Sequence, residues 1–363
     1  MVINERSKMP KGVTPIDDYV FTLSNELKEM AENELRETNS TRDHALKAMR
    51  EWIMSNPRIS NIRLDSNFLL RFLRSKKFSL PITQESLERY LLLRQSYDEK
   101  IFRNMDYLLN PTQELITNGY IFALPKRDKL GRRIVLTRPG VFDPYKYANV
   151  DLLKIHALTY EVLMENEENQ IRGFVHIVDG SGVNLPYMTI FTPKEAVRIV
   201  KNAERTLPMR HKEIKAFNVH GSIKFAVDFT LALVSEKMKN RIKIYTSVES
   251  AMKTVDITLL PKEYGGITPM ADMIGMCVIL LVKNFRKNFI VRITVAALWQ
   301  NELKASRDVI LLNDKMQVNV EMYSAKARQG AVSALKQQMS NCGAEQDANL
   351  QGLQGSFRKL EVD

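Results

Sequence analysis

The chain has 363 residues, 44% hydrophobic and 26% charged, with a net charge of +11. That length can bury a full core, with one large domain and a smaller one attached, and the positive balance favours anionic partners such as membrane headgroups or nucleic acid. Zinc-ligand spacing, an RNP-like aromatic motif and a long basic arm are all missing, which excludes a nucleic-acid module.

Residues 1–23 read as a flexible lead-in; MVINERSKMPKG has charges but no apolar run, so no secretory signal is expected. No later run is long enough to span a bilayer, and Cys277 and Cys342 are too few for a disulfide framework. A cytoplasmic protein is expected. Residues 24–110 have helical spacing throughout. Leu27, Met30 and Leu35 mark one apolar side, and Trp52 and Ile53 close a second helix before Asn56-Pro57. In DSNFLLRFLRSKKFSL, Phe68, Leu69, Phe72 and Leu73 are expected inside, and Arg71 and Arg74 outside. The next helix restarts at Pro81.

From residue 111 to 274 the texture changes. GYIFALPKRDKLGRRIVLTRPG reads as two strands across Asp128 to Gly131. A helix from Asp151 to Glu165 follows, then a buried strand Phe174 to Val178 that ends in the Asp179-Gly180 turn. Thr192-Pro193 starts another helix. Strands alternating with helices predict an α/β class with a largely parallel sheet.

The stretch from Pro208 to Ile242 carries the most information. An extended run puts Arg210 and Lys212 on one side, because side chains repeat every two residues. A helix spanning 222–242 then places Ile223, Val227, Leu231 and Val234 in one apolar stripe, with Lys237 and Arg241 four apart at its far end. Two matched pairs of cations beside a greasy helix suit a phosphorylated headgroup. On spacing alone, two ordinary solvated patches are the more economical reading.

NFLLRFLRSKKFSL, FVHIVDGSG, LPMRHKEIKAFNVHGSIKF and LPKEYGG resemble the CRAL-TRIO (Sec14-like) lipid-binding family, over about residues 24 to 274. The similarity is strongest to its α-tocopherol transfer and retinaldehyde-binding branch, in a form typical of insects. The resemblance implies a small helical domain followed by an α/β bowl that holds one lipid under a mobile lid helix. It also implies that Arg210, Lys212, Lys237 and Arg241 bind a phosphoinositide. Ligand-contacting positions fall on His156 and Tyr160, which with Leu153 share one helix face; both are bulkier than the serines of tocopherol-binding members. A retinoid is therefore expected ahead of tocopherol, and tocopherol ahead of phospholipid. Ile177, Leu185, Phe191, Val197 and Phe217, together with Ile223, Val227 and Phe229 of the lid, are further lining candidates. His156 fits a satisfied core histidine equally well.

These features predict a monomeric carrier with no cofactor beyond its lipid. It would touch phosphoinositide membranes transiently and release its cargo there. A phosphoinositide-binding trafficking adaptor and a Sec14-like phospholipid exchanger are the alternatives. An enzyme is not expected: His156, His176, Asp179 and Ser181 lack a GxSxG frame, and DGSG is an ordinary turn.

Residues 275–298, GMCVILLVKNFRKNFIVRITVAAL, interrupt the family pattern with four basic residues and no acid. Gly-Met-Cys can be encoded with a splice-donor sequence, so a translated intron is one reading; a genuine insertion or membrane-touching hairpin is the other. Residues 299–363 are expected to form a helix and then a polar tail, partly disordered from about Ser324.

Overall fold

The computed structural model describes residues 11–96, 99–190, 193–245, 247–275, 283–284, 287–288 and 298–328. The helical layer contains α1 (Asn25–Met30), a π-turn (Ala31–Leu35), α2 (Asn39–Ser55), a short β1 (Ile59–Asn61), α3 (Ser66–Ser75), α4 (Leu80–Ser96) and α5 (Glu99–Phe102). Ser24, Thr38 and Asp65 cap α1, α2 and α3, each accepting a backbone N–H three residues on.

The α/β layer follows with α6 (Thr112–Thr117), β2 (Ile121–Ala123), β3 (Arg133–Thr137), α7 (Asn149–Met164), α8 (Glu167–Arg172) and β4 (Phe174–Asp179). It continues through α9 (Tyr187–Ile190), α10 (Pro193–Arg205), β5 (His211–Phe217), α11 (Lys224–Leu233), α12 (Glu236–Lys239), β6 (Ile242–Ile244), α13 (Val248–Met252) and α14 (Met270–Ile274). Its sheet has the order β2-β3-β4-β5-β6, antiparallel at β2 and parallel elsewhere. The β-branched run of β4 suits that central place, since a parallel strand is covered on both faces. The α/β class is as expected.

The remaining elements are β7 (Lys283–Asn284) paired antiparallel with β8 (Lys287–Asn288), α15 (Leu298–Leu312), β9 (Gln317–Val318) and α16 (Ala325–Arg328). Most of the unusual segment 275–298 lies outside the described residues, as does the tail beyond 328. On either side of that segment, Ile274 and Trp299 are buried in the same core cluster as the sheet. β9 returns to pair with β1, and Val318 and Tyr323 are buried in the core of the helical layer.

Arg71 and Arg74 are buried, contrary to the sequence expectation of an exposed face. Arg74 binds both carboxylate oxygens of Glu37 at 2.8 Å and Glu167 at 2.8 Å. Arg71 binds Glu161 of α7 at 2.9 Å and Glu165 at 2.7 Å, and Arg63 reaches the same Glu165 at 2.7 Å. Helical spacing placed these arginines opposite the apolar stripe, but that face meets α7 and α8 rather than water. Guanidinium forks saturated by carboxylates make such burial tolerable.

Candidate ligand cavity and basic cluster

Register decides which sheet residues face which layer, because paired residues share a side. Val135, His176 and Ile214 are in register across β3, β4 and β5, and Val178, Ala216 and Ile244 across β4, β5 and β6. Ala216 and Ile244 line the space beneath α11, so this side faces the ligand layer. Ile177 and Lys215 share the other side, where they line a polar recess of about 430 Å³. Phe217, two residues beyond Lys215, packs edge-on against Tyr264 at 5.9 Å. Ile177 and Phe217 therefore sit behind the sheet, away from the lid.

Two apolar chambers lie in front. One of about 240 Å³ is lined by Leu153, His156, Tyr160, Ile199, Leu207 and Phe102, among others. A second of about 380 Å³ is lined by Tyr120, Tyr187, Ile223, Val227, Leu231, Ile242 and Ile244. Leu152 belongs to both walls. The expected trio on α7 thus converges on one chamber, and Ile223 and Val227 on the other. Leu185 is exposed, Phe229 is 41% exposed, Val197 is half-buried and in neither wall, and Phe191 lies outside the described residues.

Tyr120, on the approach to β2, went unnoticed in the sequence, where it is one aromatic among apolar neighbours. Its hydroxyl lies 2.9 Å from His156 Nε2, and His156 Nδ1 lies 3.3 Å from the Tyr160 hydroxyl. Tyr160 meets His176 edge-on at 6.1 Å, and His176 Nε2 is 2.8 Å from His211 Nδ1. Burial pushes His156 down to about 4. His211 is pushed to about 4 by burial and then by the Arg241 charge, and His176 lies well below its ordinary value, again from burial first. Burial disfavours the charged imidazolium, so all three rings are neutral near pH 7. Such a polar string inside an apolar bowl can orient the polar end of a ligand.

The cations converge at the β5–α12 end. The expected single helix is broken: Val234 is extended, Ser235 caps the short α12, and Lys237 and Arg241 fall on and just beyond it. Arg241 still turns towards β5 and donates to the His211 carbonyl. Arg210 and Lys212 both bind Glu34 Oε2, at 2.6 and 2.8 Å, and Arg210 also donates to the Ile171 carbonyl. Burial lowers Lys237, and the charges of Arg241, Lys77 and Arg210 push it the same way. Lys212 is lowered by burial, with Arg210 and Arg241 adding to the shift against its bond to Glu34. The four expected cations therefore share one field, in which Lys77 takes part. Lys77 and Phe78 have left-handed backbone (φ 50 and 60) in the turn after α3, a feature the sequence did not disclose. Glu34 was equally unforeseen, because its partners lie some 180 residues away in the chain.

Asp179 accepts from the Ser181 amide and hydroxyl, from Asn218 and from Tyr264, at 2.6 to 3.0 Å. It is thus the anchor of a strand-end turn. The Ser181 hydroxyl, which donates to Asp179 at 2.7 Å, has that carboxylate and Asn218 as its partners among the described residues, with no imidazole to activate it.

The CRAL/TRIO domain family model matches residues 117–266, the stretch that holds the sheet, the second chamber and most of the first. Residues 117–266 are thus a CRAL/TRIO domain, and the similarity of the chain to Sec14-like CRAL-TRIO proteins supports a lipid-binding or transfer protein in general. It is 29% identical over 276 residues to the Homo sapiens alpha-tocopherol transfer protein-like protein, covering 75% of this chain and 79% of that one. It is 28% identical over 252 residues to clavesin-1 of Xenopus laevis (69% and 76% covered), and 27% over 257 residues to clavesin-2 of Homo sapiens (69% and 77%). The crystal structure of Sfh5 covers 78% of this chain and all of its own, with a TM-score of 0.46 and 10% identity. Among the described residues, no helix is long and apolar enough to cross a membrane.

Proposed function

We propose that this protein carries one elongated, mostly apolar lipid with a single polar end, and releases it at phosphoinositide-containing membranes. The observation that carries the reading is the pair of mainly apolar chambers, whose polar lining residues are His156, Tyr160 and Asn202 in one and Tyr120, Tyr187 and Thr230 in the other, with Tyr120 meeting His156 where they adjoin. Each chamber alone is small or marginal for such a ligand; the two joined reach the usual range of roughly 300–1,000 Å³. A retinoid comes first, a tocopherol-like lipid second and a phospholipid third. Burial contributes about 0.8 kcal/mol per methylene, so the cargo leaves slowly into water and release waits for the lid to open against a membrane.

α11 is built for that step. Ile223, Val227 and Leu231 close the chamber from above, while Phe225 and Phe229, exposed on its outer side, are available to acyl chains. The basic cluster docks on anionic headgroups, each cation contributing about 1 kcal/mol. The protein is proposed to act as a monomer in the cytoplasm, associating with membranes transiently and without catalysis.

Mass spectrometry of lipids extracted from the purified protein tests the cargo. One stoichiometric isoprenoid is expected. Phospholipid would replace the reading with that of an exchanger, and an empty protein that still binds phosphoinositide vesicles would replace it with that of an adaptor.

A further inference from the structure

Behind the sheet, the recess of about 430 Å³ shares no lining residue with either chamber. Its floor is apolar: Ile134, Val175 and Ile177 come from β3 and β4, and Val255 and Leu259 close it from the chain after α13. One side is the connection between β2 and β3, with Asp128, Lys129 and Arg132, and the other is Lys253 to Asp256. Lys215 reaches in from β5, with a side chain only 9% exposed.

The acids of this recess are committed and its cations are not. Asp128 accepts from the Leu130 and Arg132 amides and from Arg132 Nε, at 2.6 to 3.0 Å. Asp256 accepts from the Thr258 amide and hydroxyl. Glu213, two residues before Lys215 on the same face of β5, lies 2.9 Å from Arg132 and 3.0 Å from Lys215. Burial pushes the Glu213 carboxyl up, but its bonds to those two cations outweigh burial and hold it below its ordinary value. Lys215 Nζ also donates to the Thr254 carbonyl at 2.8 Å. An ammonium carries three hydrogens, so one is left over. Lys129 and Lys253 are exposed at the mouth, and neither ammonium has a partner among the described residues.

We propose that this recess is a second ligand site, which binds a compact amphipathic anion: an apolar body on the Ile134, Val175 and Ile177 floor, and one carboxylate or phosphate held by Lys215, Lys129 and Lys253. Such an end supplies the acceptors that the three ammonium groups lack, in charge-assisted hydrogen bonds. A cation would meet acids already bonded to guanidinium, ammonium, hydroxyl or amide donors. A plain hydrocarbon would cover the spare Lys215 hydrogen without an acceptor, and a buried unsatisfied donor is costly. The volume lies low in the usual range of roughly 300–1,000 Å³, which suits a small molecule rather than a whole phospholipid. The sheet stands between this recess and the chambers, so its occupant would be bound beside the cargo and the site does not depend on the carrier reading.

Photolabelling of the full-length protein at pH 7.5 tests the site. 4-Benzoylbenzoate, a photoreactive aryl carboxylate, and uncharged 4-methylbenzophenone share one ring system and differ in charge. The carboxylate is expected to label segments 128–134 and 253–259, or Val175 and Ile177, roughly tenfold more than the uncharged probe does. Lys129→Ala/Lys253→Ala, at two exposed positions, should cut that labelling roughly tenfold, whereas Arg210→Ala/Lys212→Ala should leave it unchanged. Protection by 2-naphthoate or by 2-naphthyl phosphate supports the site and tells a carboxylate end from a phosphate end; protection by neither overturns it. Equal labelling by the two probes, or label confined to the chamber walls or to the cations at β5–α12, also overturns it. Labelling that persists in Lys129→Ala/Lys253→Ala would do the same and make the recess a solvated charge cluster.

Discussion

Two groups of cations in this molecule share a chemistry and differ in their counter-charge. Where α3 meets α7 and α8, Arg63, Arg71 and Arg74 face Asp65, Glu161, Glu165, Glu37 and Glu167, and every guanidinium is bound by at least two carboxylates. At β5–α12, Arg210, Lys212, Lys237 and Arg241 share one field with Lys77, and among the described residues the carboxylate bonded to the first two is that of Glu34. The first group is matched and buried, and holds the helical layer to the α/β layer. The second keeps an excess of positive charge at the surface, which is what an anionic headgroup needs. On the proposed reading, the acids that fold against an arginine decide whether it serves architecture or membrane docking.

The strongest way to break the comparison is to remove a matched cation. Arg74→Ala would strand Glu37, whose side chain is fully buried. A loss of about 3–5 kcal/mol in urea unfolding is expected, as for other broken buried pairs. A loss below about 1 kcal/mol would show that the clamp is ornamental.

Acid tests the neutral string between the two regions. His156 and His211 are lowered to about 4 in the folded chain against about 6.5 unfolded. Between those values the unfolded chain binds more protons, so stability is full above about pH 6.5 and declines as pH falls towards 4. For one ring the loss is on the order of 3 kcal/mol. Thermal melts in this window should flatten in His156→Phe; an unchanged slope in that variant would exclude the ring as a source.

Unmatched cations should matter for membranes and little for folding. Arg210→Ala/Lys212→Ala is expected to weaken binding to phosphoinositide vesicles by roughly 30-fold, from two contributions of about 1 kcal/mol, and to flatten its salt dependence. Vesicle binding that did not change would make these residues a solvated patch.

The smallest expected effect sharpens the same point with the opposite sign. Glu34→Gln removes the carboxylate bonded to Arg210 and Lys212, so vesicle binding should tighten severalfold, while stability changes by less than about 1 kcal/mol for this part-exposed pair. Weaker vesicle binding would mean that Glu34 holds the two cations in place rather than competing for them.

Much of this was legible in the sequence. The β4 run, the helix that begins at Pro193 and the Leu153, His156 and Tyr160 face depend on local signals and on periods of 2 and 3.6 that a short window contains, whereas Thr192 lies outside the described residues. Other features were not. Arg71 and Arg74 have the spacing of a solvent face, and only the carboxylates of Glu37, Glu161, Glu165 and Glu167, all distant in sequence, make their burial possible. The lid pattern continues without a Gly or Pro through Val234-Ser235, so nothing local announced the break into α11 and α12. Ile177 and Phe217 look like cavity residues because both faces of a central strand are apolar; register with Lys215 places them behind the sheet.

The sequence by itself determined the α/β class, the helix face that presents His156 and Tyr160, and the presence of four cations around one strand and its following helix. These follow from spacing along a single element, where geometry is set by the backbone. Tertiary structure alone decided that Tyr120 meets His156, that Glu34 occupies Arg210 and Lys212, and that three arginines are interior. Each depends on which distant element packs opposite, and a period along one element says which way a side chain points but not what it will meet.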